Sequence, residues 1–282
     1  MKVSFIVTSY NQETFISECI VSILGQTTLP DELIISDDAS TDGTWSMILE
    51  TLRQTPNHGI KVILNRNSEN LGVARNFGYA LTKASGDIYI FGAGDDVYLA
   101  DKVLLTLEYF GQHKSIAGMF TNLVEIDALS FEKGRFFSRI PRFSRNQHHI
   151  FLLRQPWCIG ASQAVRASVI NNYMETPFTG ISTDGVMAFR SIMEGGFGYL
   201  DEVTVKYRIH GNNLSQGLSF DQKLEYFIGK LCFYSELIIN ARHRGQLFLL
   251  PSLYFYFIVY SICNKLISVN RLNLLLRKFY SG

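Results

Sequence analysis

Tyr89-Ile-Phe-Gly-Ala-Gly-Asp-Asp-Val-Tyr98 decides how the rest of the chain is read: a short apolar run of strand character ends in two adjacent carboxylates, Asp95 and Asp96, beside glycines. Mg2+ and Mn2+ prefer oxygen ligands and are commonly held by one or two carboxylates together with substrate phosphates. A strand end bearing two aspartates is therefore a candidate metal and diphosphate site. Small residues at 92–94 are expected to let a bulky ligand approach the backbone. Taken alone, the pair reads equally well as a turn or a helix cap, and the neighbouring sequence has to separate the two.

Upstream, hydrophobic periodicity alternates between strand and helix. A strand is expected at Val3 to Thr8, then a helix with apolar positions Phe15, Ile16, Cys19, Ile20, Ile23 and Leu24. A second strand at Leu33 to Ser36 leads through the turn Asp37 to Gly43 into a helix with Trp45, Ile48, Leu49 and Leu52 at i, i+3, i+4 and i+7. A third strand at Lys61 to Leu64 precedes the loop Asn65 to Gly72 and a helix carrying Ala74, Phe77 and Leu81; the fourth strand is Ile88 to Phe91. This order predicts an α/β fold with a mostly parallel sheet covered on both faces. Ligands of such sheets bind beyond the carboxyl ends of the strands. That edge would collect Thr8 to Asn11, Asp37 to Asp42, Asn70 to Arg75, and Asp95-Asp96. No Gly-x-x-x-x-Gly-Lys-Ser/Thr occurs, and Gly92 to Val97 lacks the third glycine of the dinucleotide fingerprint, which speaks against a Walker ATPase and a Rossmann dehydrogenase.

At 282 residues with 47% hydrophobic content the chain can bury a sizeable core. Charged residues are 18%, below the roughly 25% of an average soluble domain, and the net charge is +1, so nothing calls for nucleic acid as a partner. Cysteines 19, 158, 232 and 263 lack metal-knuckle spacing and read as reduced, buried thiols. The apolar run Val3 to Val7 is too short for a signal-peptide core, so a cytoplasmic protein is expected.

In order, these segments resemble the inverting glycosyltransferases of family 2, which have a GT-A fold and transfer sugars from nucleotide diphosphates. Val3-Ser-Phe-Ile-Val-Thr-Ser-Tyr-Asn11 resembles the family's first strand, whose terminal residues contact the base, which points to Thr8 and Tyr10. Ile20 to Thr27 resembles the helix that follows. Glu32 to Thr44 is similar to the second strand and its acidic turn, whose second aspartate accepts from the uracil ring, implying Asp38. Asn70-Leu-Gly-Val-Ala-Arg-Asn76 resembles the loop whose arginine helps hold the nucleotide, implying Arg75. Asp95 and Asp96 stand where relatives keep an Asp-x-Asp metal motif. Asp95 is implied for both nucleotide and metal, and Asp96 as the final aspartate that ligates Mn2+ or Mg2+; Ala93 replaces the usual preceding aspartate. Ser182-Thr-Asp-Gly185 resembles the segment that supplies the catalytic base, implying Asp184. Val205 to Ser215 resembles the closing Tyr-Arg-x-His element, implying His210 as a metal ligand.

The resemblance implies a GT-A catalytic domain over 1–215, with a nucleotide-sugar-binding half (1–120) and an acceptor-binding half (121–215), followed by a helical C-terminal segment, 216–282. It also implies transfer of a sugar from a UDP-sugar, or a related nucleotide sugar, to a glycan or lipid-linked oligosaccharide in surface polysaccharide, lipopolysaccharide or capsule synthesis. The chemistry calls for these residue types on its own terms. A leaving diphosphate needs its growing charge neutralised by a cation. An attacking hydroxyl needs a base, a role in which a placed carboxylate contributes about 10² to 10⁴ in rate.

Plainer readings stand beside these. Asp38 and Asp42 lie in a turn where such side chains often bond their own backbone, Arg75 could pair with Glu69 on a surface, His210 could be structural, and Asp184 could cap a helix. Two other classes also remain: a nucleotidyltransferase, and a non-catalytic sugar-nucleotide or glycan binding domain. Residues 131–149 interleave Lys133, Arg135, Arg139, Arg142 and Arg145 with Phe131, Phe136, Phe137 and Phe143, which fits a segment over the acceptor site, a solvated loop or a nucleic-acid patch, the first preferred. The aromatic run 247–263 followed by Lys265, Arg271, Arg277 and Lys278 reads as a monotopic membrane anchor giving peripheral contact with the inner face. The alternative is burial against the catalytic domain or a second copy in a homo-oligomer. The sequon Asn213-Leu-Ser215 is read as incidental.

Overall fold

Val3, Phe5 and Val7 of the first strand face one side of a sheet and Ile6 the other, and all four are buried. Strands that read as continuous apolar runs are those covered on both faces. The computed structural model describes residues 1–56, 58–136, 159–173 and 183–211, with single positions at 238, 242 and 245. Strands β1 (Val3–Ser9), β2 (Glu32–Asp37), β3 (Lys61–Arg66) and β4 (Ile88–Ala93) alternate with helices α1 (Ile16–Leu24), α2 (Thr44–Gln54) and α3 (Val73–Leu81). The short strand β5 (Val97–Tyr98) and helix α4 (Lys102–Gln112) follow. Next come β6 (Gly118–Ile126), β7 (Glu132–Arg135), a 3-10 turn at Gly160–Ser162, β8 (Gln163–Arg166), α5 (Ser168–Asn171), α6 (Thr183–Met193) and β9 (Phe197–Arg208).

The strands form one sheet in the order β3-β2-β1-β4-β8-β6-β9-β5, with β7 paired to β6. β1 is parallel to both β2 and β4, and β2 is parallel to β3, as the alternating pattern predicts. β8 runs antiparallel between β4 and β6, so the sheet is continuous from the first part of the chain into the second. On one face α1, α2 and α4 bury Ile16, Ile20, Ile23, Ile48, Val103 and Phe110 against Phe5, Leu33 and Ile90. On the other, α3 and α6 bury Phe77, Leu81, Val186 and Phe189 against Ile6, Ile34 and Phe91.

One expectation changes in detail. Leu49 does not belong to the buried stripe of α2: it is 46% exposed, and the buried positions are Thr44, Ile48 and Thr51. The glycines at 92 and 94 also serve packing within the chain. A Cβ on Gly92 would lie 2.8 Å from Tyr98 Oη, and one on Gly94 would lie 2.6 Å from Ile16 Cδ1. Cys19 is a free, buried thiol, as read; Cys158, Cys232 and Cys263 lie outside the described residues. So do all of 137–158 and most of 212–282, including the aromatic run and the sequon. Among the described residues no helix is long and apolar enough to cross a membrane.

Candidate active site

Each parallel strand ends at the same edge, and the loops leaving them are stitched together by hydrogen bonds. Gly94 N–H donates to Thr8 O (3.1 Å) and Asp38 N–H to Ser9 O (2.9 Å). Asn11 N–H donates to Ser40 Oγ (2.9 Å), and the Asp38 carboxylate accepts from Leu71 N–H (2.8 Å) and Gly72 N–H (2.9 Å). The four polar loops expected to meet therefore do meet. Asn11, with φ 52°, turns the chain so that its Oδ1 accepts from Thr41 N–H (2.9 Å).

The two aspartates of the acidic turn behave differently. Asp42 Oδ1 accepts from Thr44 N–H (2.9 Å) at the start of α2. Burial by itself raises the Asp42 carboxyl, but donations from Thr44 and the Glu13 backbone more than offset it and hold it below its ordinary value. That is the plain turn reading. Asp38, 3% exposed, instead reaches across to the loop before α3 and accepts also from Asn67 Nδ2 (2.8 Å). Thr8 is half-buried at the end of β1, and Tyr10 is 43% exposed. Arg75 is exposed in the first turn of α3 and makes no ion pair with Glu69.

Asp95 and Asp96 occupy unlike environments. Asp95 Oδ2 lies 3.0 Å from His210 Nε2, with side chains 14% and 11% exposed, and the His210 ring packs on Phe15 at 4.9 Å. Asp96 is 1% exposed; its Oδ1 accepts from Arg208 N–H (2.9 Å), while Oδ2 is buried without a partner among the described residues. Burial, then the charge of Asp95, raise the Asp96 carboxyl well above its ordinary value. Lys102, also 1% exposed, sits on the same side; burial pulls its ammonium down to about 7, partly opposed by Asp96. Among the described residues no group of three or more His, Cys, Asp or Glu could hold a metal ion. An arrangement with one or two protein ligands completed by diphosphate needs no such group.

Asp184 stands in the first turn of α6, its Oδ1 accepting from Gly185 N–H (3.1 Å) and its carbonyl from Gln163 Nε2 (3.1 Å). Since β8 runs antiparallel with Ala164 opposite Ile90, Gln163 lies toward the carboxyl end of β4. Asp184 is thereby carried to the edge that holds Asp95.

Sequence reading missed Arg208. Its guanidinium, 1% exposed, donates to Asp95 O (2.8 Å), Asp127 O (3.2 Å), Ser130 Oγ (2.9 Å) and Glu18 Oε2 (2.5 Å), and lies 4.7 Å over the Phe15 ring. Its signal was its place as the arginine of the Tyr-Arg-x-His element, to which no role was given.

The family glycosyl transferase family 2 matches residues 4–174. An uncharacterised glycosyltransferase of Nostoc sp. is 30% identical over 218 residues, 76% of this chain and 66% of that protein. The Escherichia coli protein WfgD, a UDP-Glc:alpha-D-GlcNAc-diphosphoundecaprenol beta-1,3-glucosyltransferase, is 39% identical over 101 residues, 36% of this chain and 38% of its own length. The chain thus spans two thirds or less of both. Among solved structures, S. aureus TarS 1–349 in complex with UDP-GlcNAc superposes with TM-score 0.64 at 17% identity, covering 87% of this chain and 70% of that one. The mannosyltransferase PcManGT of Pyrobaculum calidifontis, in complex with GDP-Man and Mn2+, gives TM-score 0.59 at 17% identity over 91% and 69%. These two likenesses are likenesses of fold, the GT-A arrangement.

Proposed function

This chain belongs to glycosyl transferase family 2, and from that premise we propose that it moves a sugar from a UDP-sugar, or a related nucleotide sugar, to a hydroxyl of a glycan or lipid-linked oligosaccharide, with inversion, in surface-polysaccharide synthesis. The observation that carries this reading is the gathering of Asp38, the Asp95–His210 pair and Asp184 on one sheet edge. The ligands printed for the solved neighbours, UDP-GlcNAc and GDP-Man, and the diphosphoundecaprenol-linked acceptor in the name of WfgD support it.

A divalent cation fits the residues present. Asp95 Oδ2 and His210 Nε2 face one another across 3.0 Å, and Asp96 Oδ2 has no partner among the described residues. An imidazole among carboxylates favours Mn2+ over Mg2+. Bound there, the ion would neutralise charge on the departing diphosphate. Asp95 and His210 would ligate it; Asp96, implied by the sequence as the final metal ligand, would instead anchor the backbone of Arg208, because no group of three such side chains among the described residues could hold an ion. The Asp38 carboxylate orients the base, and Arg75 offers its exposed guanidinium to the nucleotide. Asp184 takes the proton of the acceptor hydroxyl as that oxygen attacks the anomeric carbon from the face opposite the diphosphate. One displacement inverts the configuration, with no covalent sugar intermediate.

Calorimetry with UDP, with and without Mn2+, and turnover of a panel of nucleotide sugars test this reading. UDP binding should require Mn2+, and Asp184→Asn should lower turnover by about 10² to 10⁴ while leaving UDP affinity unchanged. Unchanged turnover would remove Asp184 as base. Release of pyrophosphate would mark a nucleotidyltransferase, and UDP binding without turnover a binding domain.

A further inference from the structure

Four side chains close a ring of hydrogen bonds beneath Asp38. Asn65 Nδ2 donates to Ser36 Oγ (3.0 Å) and to Asn67 Oδ1 (2.8 Å), and Ser36 Oγ donates to Asn76 Oδ1 (2.6 Å). Asn67 Nδ2 completes the ring by donating to Asn76 Oδ1 (3.0 Å). Its second N–H leaves the ring toward Asp38 Oδ1 (2.8 Å).

The polarity of this ring is fixed from within. Asn76, 2% exposed, must turn its Nδ2 to the Ser36 carbonyl (3.1 Å), which places its Oδ1 toward Asn67. The Asn67 oxygen is taken by Asn65, so only its amide nitrogen can face the carboxylate. A carboxylate offers about four acceptor positions. On Asp38, Oδ1 accepts from Asn67 and Leu71, and Oδ2 accepts from Gly72. What remains is one acceptor position on Oδ2, and such a position can recognise only a donor.

We propose that Asn67 is a positioning residue for nucleobase recognition: acting through Asp38, it makes the site select bases that carry a ring N–H. This rests on the nucleotide-sugar reading of the edge and deepens it. Uracil and guanine present a ring N–H at their pairing edge. Cytosine and adenine can donate there only from an exocyclic amino group, and the unprotonated ring nitrogen beside it sets a lone pair against the carboxylate. Without Asn67 the carboxylate loses one of the three donors that fix it, keeps only the backbone donors Leu71 and Gly72, and gains a second open acceptor position, on Oδ1, so the orientation of its open positions is less sharply set. Asn67 is only half-buried, in the loop after β3, so its replacement leaves the core intact.

The test is titration of UDP, GDP, CDP and ADP, each with Mn2+, into the full chain and into Asn67→Ala and Asn67→Asp. The unaltered protein should prefer UDP or GDP over CDP and ADP. In both variants that preference should shrink about tenfold, the size of a hydrogen bond to a charged group, with CDP and ADP affinities nearly unchanged. A merely structural loosening would weaken all four nucleotides alike. The inference is overturned if both variants keep the preference, if all four nucleotides weaken together, or if the unaltered protein binds CDP as tightly as UDP and GDP. If the unaltered protein binds none of the four, the nucleotide-sugar reading itself falls and takes this inference with it.

Discussion

Arg208 is a full cation at 1% exposure, and its burial is tolerable only because its surroundings return what water would have supplied. Backbone carbonyls of Asp95 and Asp127, the Ser130 hydroxyl and the Glu18 carboxylate accept from it, and Phe15 presents a ring face. It thus ties two separate segments, 15–18 and 127–130, to the residue that pairs with His210. Arg208→Met should destabilise the chain by about 3–5 kcal/mol, because it leaves several acceptors buried and unpaired. Glu18 is 49% exposed, so Glu18→Gln should cost less than about 1 kcal/mol. Urea denaturation of both variants measures the contrast, and comparable losses would show that the exposed ion pair, not the buried acceptors, sustains the cluster. Histidine was legible in this element because its chemistry is rare. The arginine was not, since nothing in a single sequence distinguishes a buried guanidinium from a solvated one.

Strand β4 delivers Asp95 and Asp96 to the edge, and its glycines set how closely its neighbours approach. A methyl on Gly92 would meet Tyr98 Oη at 2.8 Å and Phe5 Cε1 at 3.0 Å, the two rings of an edge-to-face pair. It would also push against the hydroxyl that accepts from Ala93 N–H (2.8 Å). Gly92→Ala should therefore destabilise by about 1–3 kcal/mol, as overpacking does. Gly111 of α4 is a control, because a methyl there meets nothing within 4 Å. Gly111→Ala should stabilise by roughly 0.5–1 kcal/mol through lost backbone freedom in the unfolded chain. Thermal unfolding of the two variants should move in opposite directions, and a shared direction would refute the packing argument. The parallel half of the sheet was legible because each of its strands is followed by its own helix, so that local periodicity reports both. β8 was not, since four residues inserted between β4 and β6 from far along the chain leave no local pattern. β5, two residues long, escaped for the same reason, and the pairing of β9 with β6, whose register shifts twice, leaves no trace in local sequence. At the site, Asp38 and Asp95 could be read from the sequence, but the ring formed by Asn65, Ser36, Asn76 and Asn67 exists only once β2, β3 and α3 are brought together.

Across the molecule, chemistry gathers at the carboxyl edge of the sheet while the amino edge is held by one buried carboxylate. Glu32, with its side chain fully buried, accepts from Ser4 Oγ (2.6 Å), Ser85 N–H (2.5 Å), Ser85 Oγ (2.9 Å) and Lys2 Nζ (3.3 Å). It joins β1, β2 and the turn before β4. Burial alone would raise its carboxyl, but these donors more than offset that and hold it at about 2 against an ordinary 4.5. The unfolded chain binds this proton more readily than the folded one. Stability from Glu32 is therefore complete above about pH 4.5 and is lost as the pH falls toward about 2. A shift of that size is worth about 3 kcal/mol. Glu32→Gln should lower stability at neutral pH by an amount of that order, and the difference between variant and unaltered chain should narrow steadily between pH 4.5 and 2. Urea midpoints across that range decide it: a gap that stays constant with pH would mean that Glu32 acts through shape and hydrogen bonds alone, and that its charge is not what fastens the amino edge.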